Sequence, residues 1–292
     1  MVTFYRRLPR FDYLAPKTVD EALSLLSQYK GKAKVIAGGT DLVPKLKRRQ
    51  IETPACIVAL KGISDLDYIR YDETYGLRFG ALTTIRAIET SPVIREKFTV
   101  LAQAASSMGS VQVRNRGTVG GNICNAVPSA DTAPALLTLQ ARLKIVSHKS
   151  ERTVDIGDFF TGPNETILTD EELLEEIMVP HLPLNSRGIY LKLSPRKSMD
   201  LAIVGVAAVL ISEDAICKDV RIALGAVAPT PMRAEKAEYL LIGKKLSDGL
   251  VNSAAQIASE ESQPIDDHRA SAEYRKEMVK VLTRRALSHL LG

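Results

Sequence analysis

Two glycine-rich segments of this chain have the residue types of a phosphate-binding turn. Residues 37–42 read Ala-Gly-Gly-Thr-Asp-Leu, and residues 118–122 read Thr-Val-Gly-Gly-Asn. A glycine turn offers several backbone N–H groups without side-chain obstruction, so it can surround a pyrophosphate, and the threonine hydroxyl adds a donor. Neither segment has the Gly-Lys-Ser/Thr of a P-loop or the GxGxxG of a Rossmann turn, and a single Gly-Gly turn more often makes only a tight strand connection. The pair predicts a clamp that holds one extended ligand, a dinucleotide, from two sides.

An acidic residue, Asp131, follows the second glycine segment. Its carboxylate can accept hydrogen bonds from ribose or ribityl hydroxyls, while the backbone turns keep negative charge away from the phosphates. The other interpretation makes Asp131, next to Ser129, the N-cap of a helix that contains Leu136 and Leu139. Both interpretations are open from the sequence.

The charge balance is typical of a folded enzyme rather than of a nucleic-acid binder. The chain has 39 basic and 34 acidic residues, a net charge of +5, 45% hydrophobic residues and no Trp. A nucleic-acid surface needs concentrated positive charge and aromatic side chains that stack on bases, but aromatic residues make up only 5%. We therefore expect no nucleic-acid partner, and we interpret the cluster of Lys45, Lys47, Arg48 and Arg49 as a solvated surface.

Three cysteines, Cys56, Cys124 and Cys217, are far apart in the sequence and form no CxxC pair. They indicate neither a disulfide framework nor a zinc or iron–sulfur site, and each is interpreted as a small buried residue. The chain has no apolar run of about 18 residues, and residues 1–7 lack an apolar stretch. We therefore expect no membrane span and a cytoplasmic location.

The apolar pattern predicts the elements that position the two glycine segments. A helix that begins at Thr18 and ends near Gly31 precedes an apolar strand at 34–37, so the first segment lies at a strand end. Interruptions at 180–187 mark a domain boundary. Beyond it we predict a sheet of three strands, at 189–193, 202–211 and 220–227, backed by three helices, at 234–241, 246–261 and 272–290.

Five stretches of the chain resemble the FAD-binding medium subunit of the molybdenum hydroxylases, the xanthine dehydrogenase and carbon monoxide dehydrogenase family. They are residues 37–42, 118–131, 196–202 (Arg-Lys-Ser-Met-Asp-Leu-Ala), 225–231 (Gly-Ala-Val-Ala-Pro-Thr-Pro) and 271–275 (Ser-Ala-Glu-Tyr-Arg). The likeness covers essentially the whole chain in the expected order.

The resemblance implies an α+β fold with two domains. Residues 1–178 would form a two-lobed FAD-binding domain of the vanillyl-alcohol-oxidase type, with a small lobe at 1–57 and a larger lobe at 58–178. Residues 179–292 would form a C-terminal domain that contains the three-stranded sheet and the three-helix bundle.

The resemblance also implies where FAD is held. The first segment would wrap the pyrophosphate and reach the flavin, the second would form the other clamp, and Asp131 would hold a sugar-side hydroxyl. Lys192 is either a cation beside the isoalloxazine that tunes its potential or a solvated strand lysine. The expected FAD contacts are Val35, Ile36, Ala37, Gly38, Gly39, Thr40, Asp41, Leu42, Met108, Thr118, Val119, Gly120, Gly121, Asn122, Asn125, Asp131, Leu174 and Lys192.

The implied function is electron transfer within a larger oxidoreductase. The chain has no cysteine set for [2Fe–2S] clusters and no segment that resembles a molybdopterin-binding domain, so those cofactors are expected on partner chains. The implied partners are a large molybdenum subunit and a small iron–sulfur subunit, and we expect a dimer of heterotrimers. FAD on this chain would take electrons from the [2Fe–2S] clusters and pass them to an external acceptor such as NAD or a quinone.

Other function classes stay open at this stage. The first is a standalone FAD oxidoreductase of the same fold. Such enzymes often attach FAD through His or Cys. Near the glycine segments, Cys124 is the only thiol and there is no histidine, so non-covalent FAD is favoured. An NADPH-dependent reductase of cell-wall precursor synthesis shares the fold, although residues 225–231 and 271–275 match the hydroxylase subunit instead. The non-enzymatic alternative is a nucleotide-binding module without redox activity.

Overall fold

The computed structural model describes residues 7–196, 199–214 and 216–291. Residues 1–6 lie outside the described residues, as do Lys197 and Ser198 of the stretch at 196–202. Within the described ranges the chain forms four β-sheets and eleven α-helices, distributed over a small lobe, a larger lobe and a C-terminal domain. None of the helices in the described ranges is long and apolar enough to cross a membrane.

The small lobe is a parallel three-stranded sheet with one helix packed on it. Its strands are β1 (Asp12–Leu14), β2 (Ala33–Ile36) and β3 (Cys56–Ala59), in the order β1-β3-β2. Helix α1 (Val19–Tyr29) begins where the Thr18 hydroxyl accepts a hydrogen bond from the Glu21 N–H at 3.1 Å, as the sequence predicts. Its apolar side packs in one core with β3. Strand β2 ends directly before the first glycine segment, and the short helix α2 (Leu42–Lys47) follows that segment.

The larger lobe is an antiparallel five-stranded sheet covered by helices. The sheet order is β4-β5-β10-β6-β7, with β4 (Ile69–Asp72), β5 (Gly76–Gly80), β6 (Arg142–Val146), β7 (Glu151–Asp155) and β10 (Leu173–Val179), and β8 (Phe160–Gly162) pairs separately with β9 (Glu165–Thr166). The helices are α3 (Ile85–Thr90), α4 (Pro92–Lys97), α5 (Thr99–Ser107), α6 (Val111–Arg114), α7 (Val119–Asn125) and α8 (Thr132–Thr138). They share one apolar core with the sheet.

The C-terminal domain is an antiparallel sheet backed by three helices, as predicted, but the sheet gains a fourth strand. Its order is β11 (Ser186–Leu193), β12 (Val204–Glu213), β13 (Ile216–Gly225) and β14 (Met232–Arg233), and its helices are α9 (Glu235–Leu241), α10 (Asp248–Glu261) and α11 (Ala272–Leu291). Strand β14 pairs with Ala223 and Leu224. The prediction of three strands missed it because two residues are too few to show an alternating pattern.

Other elements differ from the sequence predictions. Strands β1, β4, β7, β8, β9 and β10 were not predicted, nor were the short helices α2, α4 and α6. Strands β1, β4 and β7 are short and largely exposed and so lack an apolar run, and β8 and β9 have only three and two residues. In β10 two glutamates interrupt the apolar pattern. The predicted boundary between the lobes, after residue 57, falls inside β3 because that strand completes the small sheet. The boundary at 178/179 lies at the last residue of β10 and stays a prediction.

The C-terminal sheet packs directly on the larger lobe. The Tyr190 N–H on β11 donates to the Gln103 side chain on α5 at 2.8 Å, and the Ala226 N–H donates to the Pro128 carbonyl at 2.7 Å. This packing places β11 against α5, which ends directly before Met108. Side chains of the C-terminal domain can therefore support the region between the two lobes.

Candidate functional site

A cavity lies where the two glycine segments meet. Its volume is about 450 Å³, within the range of about 300–1,000 Å³ that is usual for small-molecule sites. The small lobe contributes the end of β2, the first glycine segment and α2, and the larger lobe contributes α7 and the start of β10. The sequence prediction that the two segments face one space is thus met by the geometry.

Most of the expected FAD contacts line this cavity. They are Val35, Ile36, Ala37, Gly38, Gly39, Thr40, Asp41, Leu42, Met108, Thr118, Gly120, Gly121, Asn122, Asn125 and Leu174. Val119, Asp131 and Lys192 do not line it: Val119 is buried in the apolar core, and the other two form an ion pair behind the wall. Whether any of these residues touches FAD stays a prediction.

Several lining residues were not predicted. Most are apolar, among them Leu60, Leu82 and Leu173, and nothing in the local sequence marks such residues as part of a wall. Lys45 is different, because its sequence position gives a signal. Asp41 immediately precedes α2, and a residue four positions later lies on the same side of a helix, so Lys45 lies on the side of Asp41. The interpretation of its cluster as solvated surface is wrong for Lys45, which is partly buried and lines the cavity.

The first segment has the open backbone that the sequence predicts. The backbone N–H groups of Gly38, Gly39 and Thr40 donate no hydrogen bond to any of the described residues. Gly38 also faces the chain just before the second segment so closely that a Cβ there would overlap the carbonyl oxygen of Arg116. The two segments are consequently in backbone contact, and a side chain at position 38 would force them apart.

The second segment is a helix start and not the turn with exposed N–H groups that the sequence predicted. Thr118 is the N-cap of α7, and its hydroxyl accepts from the Gly121 N–H at 3.1 Å. The N–H groups of Val119 and Gly120 donate to the carbonyls of Thr83 and Ala81, each at 2.9 Å. That prediction is wrong because the neighbouring connection between β5 and α3 takes up these donors, so the segment presents side chains and a close-packed wall instead.

A hydrogen-bonded chain joins the two segments across the cavity wall. Lys45 donates through Nζ to Oδ1 of Asn125 at 2.7 Å, and Asn125 donates through Nδ2 to Oδ1 of Asp41 at 3.0 Å. The second carboxylate oxygen of Asp41 accepts from the Thr40 hydroxyl at 3.3 Å. Asp41, Asn125 and Lys45 therefore fix the position of α2 relative to α7.

Asp131 and Lys192 form a buried ion pair between the larger lobe and the C-terminal sheet. The Lys192 Nζ lies 2.8 Å from Oδ2 of Asp131, and their side chains are only 8% and 5% exposed. The Tyr190 hydroxyl donates to the other oxygen of Asp131 at 2.8 Å. Burial raises the pKa of Asp131, while the Lys192 ammonium and the Tyr190 hydroxyl oppose that rise.

This arrangement overturns two of the sequence interpretations. Asp131 stands at the N-cap position of α8, but its side chain caps no backbone N–H, because Lys192 and Tyr190 occupy the carboxylate. Lys192 is not a solvated strand lysine. Its ammonium also donates to the Ser107 carbonyl at 3.0 Å, so it holds the backbone next to Met108, which lines the cavity.

A second buried cation holds the same part of the wall. Arg114 on α6 donates to the Met108 carbonyl at 3.0 Å and forms an ion pair with Glu89 at 2.7 Å. Two adjacent carbonyls, those of Ser107 and Met108, thus accept hydrogen bonds from buried charged groups. The backbone of the wall at Met108 is therefore held by charged groups of the protein itself.

Comparison with known proteins identifies the family. Residues 9–182 match the family described as the FAD binding domain in molybdopterin dehydrogenase, and residues 189–290 match the CO dehydrogenase flavoprotein C-terminal domain. The chain belongs to the FAD-binding medium subunits of the molybdenum hydroxylases. The family and the α+β fold that the resemblance implied are confirmed.

Relatives match this medium subunit along nearly their whole length. The glyceraldehyde dehydrogenase medium chain of Sulfolobus acidocaldarius is 35% identical over 97% of this chain and 99% of its own. A putative xanthine dehydrogenase FAD-binding subunit of Escherichia coli is 31% identical over 96% of both chains. In a solved structure of carbon monoxide dehydrogenase from Hydrogenophaga pseudoflava, one chain superimposes with a TM-score of 0.93 at 35% identity, covering 97% of each chain.

The cavity of this medium subunit fits the group that the family binds. A diphosphate needs donors that the protein leaves unused, and the N–H groups of Gly38, Gly39 and Thr40 provide them. An aromatic ring system needs apolar surface, and Leu60, Leu82, Leu173 and Leu174 provide it. The chain is thus an FAD-dependent oxidoreductase subunit whose site carries both kinds of surface.

The one cysteine at the cavity is poorly suited to covalent attachment. Cys124 lines the wall, and burial raises the pKa of its thiol to about 12. Since the thiolate is the reactive form, this environment keeps the sulfur unreactive near neutral pH. Cys56 and Cys217 are buried elsewhere, and no group of three metal-ligating side chains occurs within 7–196, 199–214 and 216–291.

Proposed function

We propose that this chain binds FAD non-covalently between its two lobes and serves as the electron outlet of a heteromeric molybdenum hydroxylase. The observation that carries the proposal is the cavity in which the open glycine segment and the capped helix α7 meet. In our proposal electrons arrive from [2Fe–2S] clusters on a small partner subunit, and an external acceptor such as NAD or a quinone removes them. In this proposal the electrons originate on a large molybdenum subunit, where the organic substrate is oxidised.

Each part of the wall has a distinct task in this proposal. The N–H groups of Gly38, Gly39 and Thr40 bind the diphosphate, and the apolar residues around Leu174 and Met108 exclude water from the ring. Bound flavin supplies reversible electron transfer, and the protein sets its orientation and access. Asp131 and Lys192 act through the position of the wall at Met108, because Lys192 pairs with Asp131 and donates to the Ser107 carbonyl.

The proposed assembly with partner subunits takes account of the cofactors that the described residues cannot hold. Among the described residues no cluster of cysteines can hold an iron–sulfur centre, so the clusters must come from another chain if this one receives their electrons. We propose a complex with a large molybdenum subunit and a small iron–sulfur subunit, arranged as a dimer of heterotrimers in the cytoplasm. The relative from Hydrogenophaga pseudoflava is itself named a medium chain.

Three experiments test the proposal in sequence. The purified chain is first incubated with FAD, desalted and scanned for flavin absorption; a chain that stays colourless refutes FAD binding. The native complex is then isolated through a tag on this chain and analysed for molybdenum, iron and associated subunits. Finally, the reduced complex is mixed rapidly with NAD⁺ or with a quinone, and the faster oxidation of the flavin identifies the acceptor. Reoxidation by neither would refute the role as an electron outlet.

A further inference from the structure

Lys45 stands out among the lysines of the described residues by where its charge is placed. It lies on α2, is partly buried, and lines the cavity beside the first glycine segment. The other lysine of the wall, Lys34, has an exposed side chain. Lys45 is thus the cation that the fold directs toward the ligand space at the point where the free N–H groups are found.

The ammonium of Lys45 has no counter-ion in the described part of the chain. Two other partly buried lysines have a carboxylate partner: Lys192 pairs with Asp131 and Lys144 with Glu175, each at 2.8 Å. Among the described residues, no carboxylate oxygen lies within 4.0 Å of the Lys45 Nζ, whose side-chain partner is the amide of Asn125. A partly buried cation that lacks a carboxylate partner favours an anionic group of the ligand.

The hydrogen bonds of Lys45 leave donors available for that group. Its Nζ uses one bond, to Oδ1 of Asn125, and an ammonium has three donors. The amide of Asn125 lies between Lys45 and Asp41, because its Nδ2 donates to the Asp41 carboxylate. Asp41 therefore orients the amide without neutralising the ammonium.

We propose that Lys45 recognises the diphosphate of the cofactor and makes the site selective for the dinucleotide over riboflavin. The proposal rests on the proposed function, since it assigns one residue of that site to one part of FAD. Lys45 is placed beside Gly38, Gly39 and Thr40, whose N–H groups would bind the same diphosphate. A cation there stabilises a ligand with two phosphates and contributes nothing to one that carries none.

The test compares three ligands on the full chain stripped of flavin. FAD and riboflavin are titrated by fluorescence, and ADP, which carries a diphosphate without the flavin, competes with FAD. The variants are Lys45→Met, Lys45→Arg and, as a matched control on the same helix, Lys47→Met, because Lys47 does not line the cavity. Each titration is repeated at low and at high salt, because an ion pair at a partly exposed site is screened.

We expect Lys45→Met to weaken FAD binding by about tenfold to a hundredfold at low salt, the effect of one charge-assisted hydrogen bond. ADP should lose a similar factor and riboflavin should lose none, which also shows that the variant is folded. The salt dependence of FAD binding should become shallower in Lys45→Met and stay unchanged in Lys45→Arg and Lys47→Met.

Two results would overturn the proposal. Equal losses for FAD and riboflavin would mean that Lys45 only shapes the cavity, and unchanged FAD affinity in Lys45→Met would mean that its charge is not used. Failure of the unaltered chain to bind FAD is a separate outcome, which would remove the proposed function together with this inference.

Discussion

Replacement of Asp131 with Asn should strongly destabilise the fold, because it leaves the Lys192 ammonium buried without a counter-ion. The two side chains are 5% and 8% exposed and 2.8 Å apart. At an effective dielectric constant of about 20 their attraction is about 6 kcal/mol, although desolvation offsets much of it. Removal of one partner of a buried pair costs about 3–5 kcal/mol, which for a chain of this length lowers the melting temperature by about 5–8 °C.

Each single replacement removes one partner and leaves the other buried. In Lys192→Met the remaining carboxyl, whose pKa burial raises, can take up a proton and become neutral. That protonation itself costs free energy at neutral pH, so Lys192→Met should also lose stability. In the double variant neither charge is present, and we expect it to recover at least half of the stability that Asp131→Asn loses.

Equilibrium unfolding in urea measures these differences as shifts of the midpoint. The matched control is Asp155→Asn, which breaks the exposed pair of Arg142 and Asp155, with side chains 60% and 72% exposed; it should change the free energy of unfolding by less than about 1 kcal/mol. The reasoning is refuted if Asp131→Asn is as mild as this control, or if the double variant is no more stable than Asp131→Asn.

Three further outcomes follow from the described contacts. Gly120→Ala should destabilise the chain by about 1–3 kcal/mol and weaken FAD binding, because the added Cβ would lie 2.6 Å from the carbonyl oxygen of Ala81. The control is Gly249→Ala, where an added Cβ meets nothing within 4 Å; thermal melts should show it to be neutral or stabilising by up to about 1 kcal/mol. The Arg269 guanidinium holds the pKa of Asp267 well below its usual range. The ionised Asp267 therefore stabilises the fold above about pH 4, and this stabilisation is lost as the pH falls further. When the urea midpoint is plotted against pH, Asp267→Asn should show a smaller decline below about pH 4, and an unchanged profile would contradict this. Since burial raises the pKa of the Cys124 thiol to about 12, a thiol reagent at neutral pH should modify it slowly in the native chain. Acid precipitation should release all FAD into the supernatant, and flavin retained in the pellet would indicate covalent attachment.

Local sequence patterns were sufficient to predict most elements and the first glycine segment. The cap at Thr18, the apolar run before Gly38 and the helices of the C-terminal domain each depend on residues that are neighbours in the chain. The same reasoning failed at residues 118–122, where two glycines predicted a turn. The segment instead forms the first turn of α7, because the carbonyls of Thr83 and Ala81, distant in sequence, accept from the N–H groups of Val119 and Gly120. No local pattern shows these acceptors.

The charged groups of the site were the hardest to predict for the same reason. Asp131 and Lys192 are separated by 61 positions, and only the packing of β11 against the larger lobe brings them together. Each residue alone had a reasonable local interpretation, as a helix cap or a surface lysine, and the structure excludes both. Lys45 was assigned to a solvated cluster because runs of charged residues are usually exposed. Arg48 and Arg49 are indeed exposed, whereas helix geometry turns Lys45 toward the cavity.

The ion pair between Asp131 and Lys192 also has a consequence for the order in which the chain is made. Every residue that lines the cavity lies before position 175, so both walls have been synthesised by then. Within the described ranges, the side chain of Asp131 nevertheless accepts its hydrogen bonds from β11, at Tyr190 and Lys192. A nascent FAD-binding domain therefore carries a carboxyl that must stay hydrated or protonated until β11 emerges. The hydrogen bond from Lys192 to the Ser107 carbonyl, next to Met108 in the cavity wall, likewise forms only after β11 has joined the fold.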